Sequence, residues 1–215
     1  MGIFLIMSAL HILADHPLVA DRLRILRDRE TEQVEFVRAL EQLSFLLAAK
    51  ATEHLRLTPV TISTPLEKTA ASHLSDPVLL VPILRAGLGL LRGFEHLLPE
   101  ARIGFFGAAR DEKTLHPTIY LDKIPAEIPP STAVFLLDPM LATGHSVLAA
   151  IDRLVVKGAR WITLVTVLSA PEGIAAVHAV RPDVTIVTGA IDRHLNQHGY
   201  ILPGLGDAGD RQFGC

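Results

Sequence analysis

From residue 78 onward the chain repeats one unit, a short and mostly apolar run followed by turn residues or a helical segment. The runs are Val78 to Leu84, Ile103 to Gly107, Ala133 to Asp138, Ile162 to Leu168 and Val184 to Val187. Strands that are apolar on both faces and alternate with helices predict a parallel sheet covered on each side. Ligands bind such sheets in the loops beyond the strand ends. The segments after residues 84, 107 and 138 are therefore the first places to look for chemistry.

Ahead of this unit, Val34, Val37, Leu40, Leu43 and Leu47 recur every three or four residues, which predicts a long amphipathic helix between about 31 and 55. With 49% hydrophobic residues over 215 positions, the chain has enough apolar surface for one main domain with a substantial core. Twenty Lys and Arg against 23 Asp and Glu leave a formal charge of -3, so nothing in the overall charge favours nucleic acid or an acidic membrane surface as a partner. The single cysteine, Cys215, rules out an intramolecular disulfide framework and a cysteine metal cluster, and it fits a reducing cytoplasm. Ile3 to Met7 is apolar, but it lacks a basic flank and is far shorter than the ~20 residues that span a bilayer. Met7 is itself a candidate start.

Three segments carry chemistry. The first is a strand from Val134 that runs into Asp138-Pro139-Met140-Leu141-Ala142-Thr143-Gly144-His145-Ser146 and then into helical spacing from Val147 to Val156. At a helix mouth the free backbone N–H groups and the positive dipole end attract a phosphate; Thr143 and Ser146 add hydroxyls, and Gly144 lets the backbone come close. No Gly-Lys-Ser/Thr ending follows, so a single phosphate fits better than a nucleoside triphosphate. Asp138, at the strand tip, is placed to accept from sugar hydroxyls. The plain alternative is an ordinary strand-turn-helix in which Ser146 caps the helix.

In the second segment, Val81 to Gly89, a strand ends in Arg85 and then glycines. Gly87, Gly89 and Gly93 miss the dinucleotide fingerprint by one position, and Asp111 or Glu112 follows about 20 residues on. A cation inside the turn suits a free diphosphate better than a dinucleotide, and a solvated arginine beside a helix start is the plain reading. The third segment, Gly199 to Gly214, holds five glycines in sixteen residues together with Tyr200, Ile201, Leu202, Leu205 and Phe213. That mixture predicts an ordered loop folded against the protein, its backbone exposed to read a flat polar ligand. Between the first two segments, Arg110 to Lys123 passes from charged residues to an alternating ribbon, which suggests a flap with Arg110 at another strand end.

On these motifs the chain resembles the uracil phosphoribosyltransferases, which belong to the type I phosphoribosyltransferases. The resemblance runs from His16-Pro17-Leu18-Val19 to Phe213-Gly214 and rests on Val81-Pro82-Ile83-Leu84-Arg85-Ala86-Gly87, Asp138 to Gly144, and Gly199 to Asp210. It implies an α/β fold: a parallel-sheet, Rossmann-like core at 61–190, an N-terminal helical arm at 1–60 and a C-terminal hood at 191–215 that binds uracil. The implied reaction joins uracil to 5-phosphoribosyl 1-diphosphate (PRPP), giving UMP and diphosphate. Carried over residue by residue, Arg85 and Arg110 match the diphosphate contacts, and Asp138 through Ser146 match the ribose-5-phosphate loop. Ile201, Gly206, Asp207 and Ala208 match the uracil site. Asp207 also faces PRPP, and with Arg110 it is the expected catalytic pair. Mg2+ is expected mainly on PRPP oxygens, with no dedicated metal ligands in the chain. A cytoplasmic homodimer or larger homo-oligomer is implied, with neither nucleic acid nor membrane as a partner.

The sequence departs from the family pattern at several positions: His145 stands in place of a glycine, Ala109 in place of a tyrosine, Ala49-Lys50 in place of Tyr-Glu, Arg193-His194 in place of an acid or Gln followed by Gly, and Cys215 in place of a threonine. At the helix mouth, His145 must either touch the phosphate or point away from it. His194 and His198 have the spacing of a helical metal pair, but Asn196 and Gly199 speak against a helix there. Trp161, at a strand start, reads as core. Two competing functions remain, a PRPP- or nucleotide-sensing regulatory or RNA-binding protein on the same fold and a dinucleotide-dependent oxidoreductase.

Overall fold

Val134 and Leu136 are buried on one face of the central sheet, and Phe135 and Leu137 of the same strand are buried on the other. Period-two alternation of this kind, apolar on both sides, requires a layer of helices on each face. The computed structural model describes residues 10–110 and 117–215; within these, the side chains of Ala109, Arg110 and Pro117 lie outside the description.

The chain opens with a short strand, Leu10–Ile12 (β1), and two helices, Pro17–Arg27 (α1) and Gln33–Ala51 (α2). A hairpin follows, Leu57–Ser63 (β2) and Lys68–Leu74 (β3). Val78–Leu84 (β4), Leu88–Leu97 (α3), Arg102–Ile103 (β5), Phe106–Arg110 (β6) and Pro117–Asp122 (β7) come next. Then follow Ala133–Leu137 (β8), Met140–Leu141 (β9), His145–Val156 (α4), Trp161–Ser169 (β10), Pro171–Val180 (α5) and Thr185–Ile191 (β11). The chain ends with His194–Leu195 (β12), Ile201–Leu202 (β13) and Ala208–Phe213 (α6).

The main sheet has the order β1-β11-β10-β8-β4-β6-β7, with β5 added to β4 and β9 to β10. Its pairings are parallel except β6 with β7, which is the alternating ribbon expected after Arg110. Helices α1, α2 and α3 cover one face, burying Leu26, Phe36, Leu43, Leu47 and Phe94 against Phe135, Leu137 and Val167. Helices α4 and α5 cover the other, burying Val147, Ile151, Leu154 and Val177 against Val81, Leu136 and Leu164. Burial of each such side chain stabilises by roughly 1.5–3 kcal/mol.

Two segments carry more structure than the sequence suggested. The stretch at 1–60, expected to be a helical arm, also holds β1 and most of β2, and its α2 lies in the core rather than standing off it. The glycine-rich segment at 199–214, expected to be a loop, is a loop only in part. It contributes β13 to a two-stranded ribbon with β12 and then closes in the short helix α6, capped by Asp207, whose Oδ1 accepts the Asp210 N–H at 2.9 Å.

The glycines after β4 serve packing. A Cβ at Gly93 would collide with Ser44 on α2, and one at Gly89 would collide with Leu40 and Gln212. The close approach of α3 to α2 and α6 thus explains a spacing that resembled a dinucleotide fingerprint. Trp161 stands at the start of β10, the end of the strand opposite the ligand loops, with His54 beside it at 5.1 Å and the Arg56 guanidinium over its ring.

Candidate active site

The loops at the C-terminal ends of β4 and β8 meet the C-terminal segment over one crevice. Its larger part is a cavity of about 300 Å³ lined by Ile201, Gly206, Asp207 and Ala208, together with Ala86, Met140, Ala142, Gly199, Tyr200 and Gly209. Its smaller part is a hollow of about 50 Å³ lined by Asp138, Met140, Leu141, Ala142, Thr143, Gly144, His145, Ser146 and Val147. Met140 and Ala142 line both, so the two segments read from sequence as a phosphate cradle and a ligand-reading loop share a wall.

The hollow is built by a tight turn into α4. Gly144 is the N-cap residue, with φ +82°, a left-handed conformation that favours glycine. The first turn of α4 carries no acidic side chain, so nothing there offsets the positive dipole end, which favours an anion. The loop is held from behind by α5, where a Cβ on Gly173 would collide with the Ala142 carbonyl. Pro139, expected among the phosphate contacts, is buried, and its carbonyl accepts the N–H groups of Val167 and Leu168 at 2.9 and 3.0 Å. It fixes the loop to β10 and is not among the residues lining the hollow. His145 opens α4 at the rim.

Asp138 sits at the floor of the hollow. Burial pushes its carboxyl up to about 7, against the Met140 N–H, which pulls it down from 3.4 Å. A carboxyl poised near neutrality at the strand end is well placed to accept from polar groups of a bound sugar.

Arg85 follows β4 directly. Its guanidinium donates to Asp210 at 2.8 Å and to the Cys215 sulfur at 3.0 Å, and it lies over the Phe213 ring at 5.9 Å. The C-terminal segment therefore holds this arginine at the crevice edge, where Gly209 brings the cavity wall close to it. Arg110 ends β6, and its side chain lies outside the described residues, as do Asp111 and Glu112.

The cavity wall is tied together by Gln212, whose amide donates to the carbonyls of Ala86 at 3.0 Å and Ala208 at 2.9 Å. Ala86, Gly199, Tyr200 and Gly209 also line the cavity; they lie inside the motifs but were not among the expected site residues.

Among the described residues no three His, Cys, Asp or Glu side chains converge as a metal site. His194 lies in β12 and not on a helix, so the helical pair with His198 does not form. Ala49 and Lys50 line a separate hollow with Leu13 and His16, which leaves the crevice residues untouched by that departure. No helix among the described residues is long and apolar enough to cross a membrane.

A family model described as uracil phosphoribosyltransferase matches residues 12–215. A uracil phosphoribosyltransferase of Beutenbergia cavernae is 49% identical over 205 residues, covering 94% of this chain and 97% of the relative. One of Wolinella succinogenes is 50% identical over 200 residues, covering 93% and 96%. A solved protein from Aquifex aeolicus superposes with a TM-score of 0.89 at 33% identity, covering 95% of this chain and 97% of that one.

Proposed function

The chain belongs to the uracil phosphoribosyltransferase family, and from that premise we propose that it transfers the 5-phosphoribosyl group of PRPP to uracil, releasing diphosphate. The observation that carries this reading is the wall shared by the phosphate hollow and the base-sized cavity. It sets a sugar phosphate and a flat base side by side, as the reaction needs.

In the reaction the bond from the ribose anomeric carbon to the diphosphate oxygen breaks, a bond from that carbon to a uracil ring nitrogen forms, and the nitrogen loses its proton. Positive charge builds on the ribose as the diphosphate leaves, so the protein's task is to position the reactants, stabilise the leaving anion and exclude water. Thr143 to Ser146 and the first turn of α4 hold the 5-phosphate. Asp138 accepts from the ribose hydroxyls. Arg85 and Arg110 take the diphosphate, and Asp207 faces both substrates from the cavity rim. Backbone groups of Ile201, Gly206 and Ala208 read the pyrimidine edge.

Asp138 and Asp207 are hard oxygen donors that line the crevice, the ligand type that suits a Mg2+ carried largely by PRPP oxygens and water. When bound, the ion neutralises part of the diphosphate charge. The lone cysteine fits action in a reducing cytoplasm. A homodimer or larger assembly is supported by the β2–β3 hairpin, which exposes Leu57, Ile62, Leu66 and Leu74.

The test is UMP formation from uracil, PRPP and Mg2+, with cytosine, hypoxanthine and orotate as comparison bases. Uracil is expected to exceed cytosine by about a hundredfold or more, because a site built to pair one polar edge leaves buried groups unpaired with another. Comparable rates for the two bases would contradict the base pocket, and no UMP at all would contradict the function.

A further inference from the structure

The carboxylate of Asp192, just after β11, and the guanidinium of Arg27, the last residue of α1, form a two-pronged ion pair with N–O distances of 2.6 and 2.8 Å. The Asp192 side chain is 5% exposed and that of Arg27 27%, so the pair is largely withdrawn from water. Neither residue lines the cavity. Both grip the backbone of Gly204: Asp192 Oδ2 accepts the Gly204 N–H at 2.8 Å, and Arg27 Nη1 donates to the Gly204 carbonyl at 3.0 Å. Gly204 lies between Ile201 and Gly206, two residues that line the cavity, at a turn with φ +66° in which a Cβ would collide with the Ile201 carbonyl.

A second grip comes from the same end of α1. Arg211 donates to the Leu205 carbonyl at 2.8 Å, to the Asp28 carbonyl at 2.6 Å and to the Leu26 carbonyl, with its guanidinium 4.4 Å above the Phe36 ring. The carbonyls left open at a helix C-terminus suit a cation, and here they anchor one on α6 that also holds the Leu205 carbonyl. The loop from Ile201 to Ala208 is thus fastened to α1 at two successive residues, Gly204 and Leu205.

From this arrangement we infer that Arg27 and Asp192 are positioning residues for base recognition, holding the backbone of the 201–208 loop at the spacing that distinguishes one pyrimidine edge from another. The inference rests on the reading of this cavity as the uracil site. Uracil and cytosine are nearly the same size and differ in which edge atoms donate and accept. Backbone groups can tell them apart only if they are held to within about half an ångström of the required positions. A buried ion pair gives weak support to stability, since apolar side chains of similar size often serve as well. What it adds here is a fixed geometry on both backbone polar groups of one residue, Gly204.

The experiment compares wild type with Asp192→Asn, Arg27→Lys and the double change Arg27→Met with Asp192→Leu, the last chosen to keep the space filled without charge. It measures the uracil KM, kcat, the uracil-to-cytosine ratio of kcat/KM, PRPP affinity by calorimetry without base, and Tm. In all three the uracil KM is expected to rise by about tenfold or more, as for a displaced binding group. The preference over cytosine is expected to fall, PRPP affinity to hold, and Arg27→Lys, which keeps the charge and loses the fork, to be the mildest. The double change is expected to show the same KM effect even where its Tm matches wild type. If the variants keep the uracil KM and the preference, or if PRPP affinity falls in step with the uracil KM or with Tm, the inference is overturned. Wild type that makes no UMP would overturn the uracil reading itself, a separate outcome.

Discussion

The guanidinium of Arg85 lies 2.8 Å from the carboxylate of Asp210, joining the end of β4 to the helix that closes the base cavity. Both side chains are about half exposed, at 54% and 48%, so the pair contributes little to stability. Its importance lies in where it keeps a cation. Arg85→Ala is expected to weaken PRPP binding about tenfold or more while Tm stays close to wild type, because a charge-assisted contact to the leaving diphosphate is lost. Arg110→Ala is expected to do the same. Calorimetric titration with PRPP decides, and unchanged affinity in both variants would place the diphosphate elsewhere.

The raised carboxyl of Asp138 makes stability depend on pH in an unusual direction. The folded protein keeps this proton up to about 7, whereas the unfolded chain releases it near the ordinary carboxylate value of about 4. Its contribution to stability is therefore fully present below about pH 4 and is lost as pH rises through about 7. Asp138→Asn removes the titration, so the Tm of the variant relative to wild type should climb between pH 5 and pH 8, at about the same buffer strength, even as turnover falls. A Tm difference that stays flat across that range would mean the carboxyl titrates normally.

Asp207 caps α6 and also faces the cavity, two roles that one substitution separates. Asparagine caps helices about as well as aspartate, so Asp207→Asn should keep Tm and the fold. Turnover should drop, since the substitution removes the charge that the proposed mechanism sets facing the ribose. Steady-state kinetics beside a melting curve are sufficient, and a kcat equal to wild type would leave Asp207 with the cap alone.

Leu57 and Leu74 face each other across the β2–β3 hairpin, and both are exposed, at 62% and 47%. In the proposed homo-oligomer they are covered by a second copy of the chain. Leu57→Glu with Leu74→Glu should convert the assembly to monomer in sedimentation velocity. An assembly of unchanged mass would move the interface away from this hairpin.

The sequence disclosed what is encoded locally. β4 was expected at Val78 to Leu84 and is found at those residues, and α4 follows the phosphate loop, because apolar runs and a glycine at a helix mouth act within a few positions. β1 is three residues long and exists by pairing with β11, some 175 positions away, so no local pattern marks it. The β2–β3 hairpin turns through Thr64-Pro65-Leu66-Glu67, which lacks the Asn-Gly type of signal. In α6 the glycines argued for a loop, and the Asp207 cap with the contacts of Arg211 and Gln212 overrode them. Of the crevice lining, Asp138, Thr143 to Ser146, Ile201, Gly206, Asp207 and Ala208 were legible from their motifs, whereas Ala86, Gly199, Tyr200 and Gly209 were not among the expected site residues. Arg27 and Asp192, 165 positions apart, left no spacing to notice.

The fastening of the base loop to α1 also bears on how the protein is made. Its contacts join residues 165 to 185 positions apart, Arg27 to Asp192 and Leu26 to Arg211 among them, whereas the phosphate loop is backed by α5, which is complete at Val180. On a ribosome adding roughly 5–20 residues per second, the emerging chain holds every residue of the hollow beside α4 before it holds those of the cavity lined by residues 199 to 209. Until residues 192 to 211 have emerged, the arginine and the carbonyls at the end of α1 lack the contacts that fasten the loop.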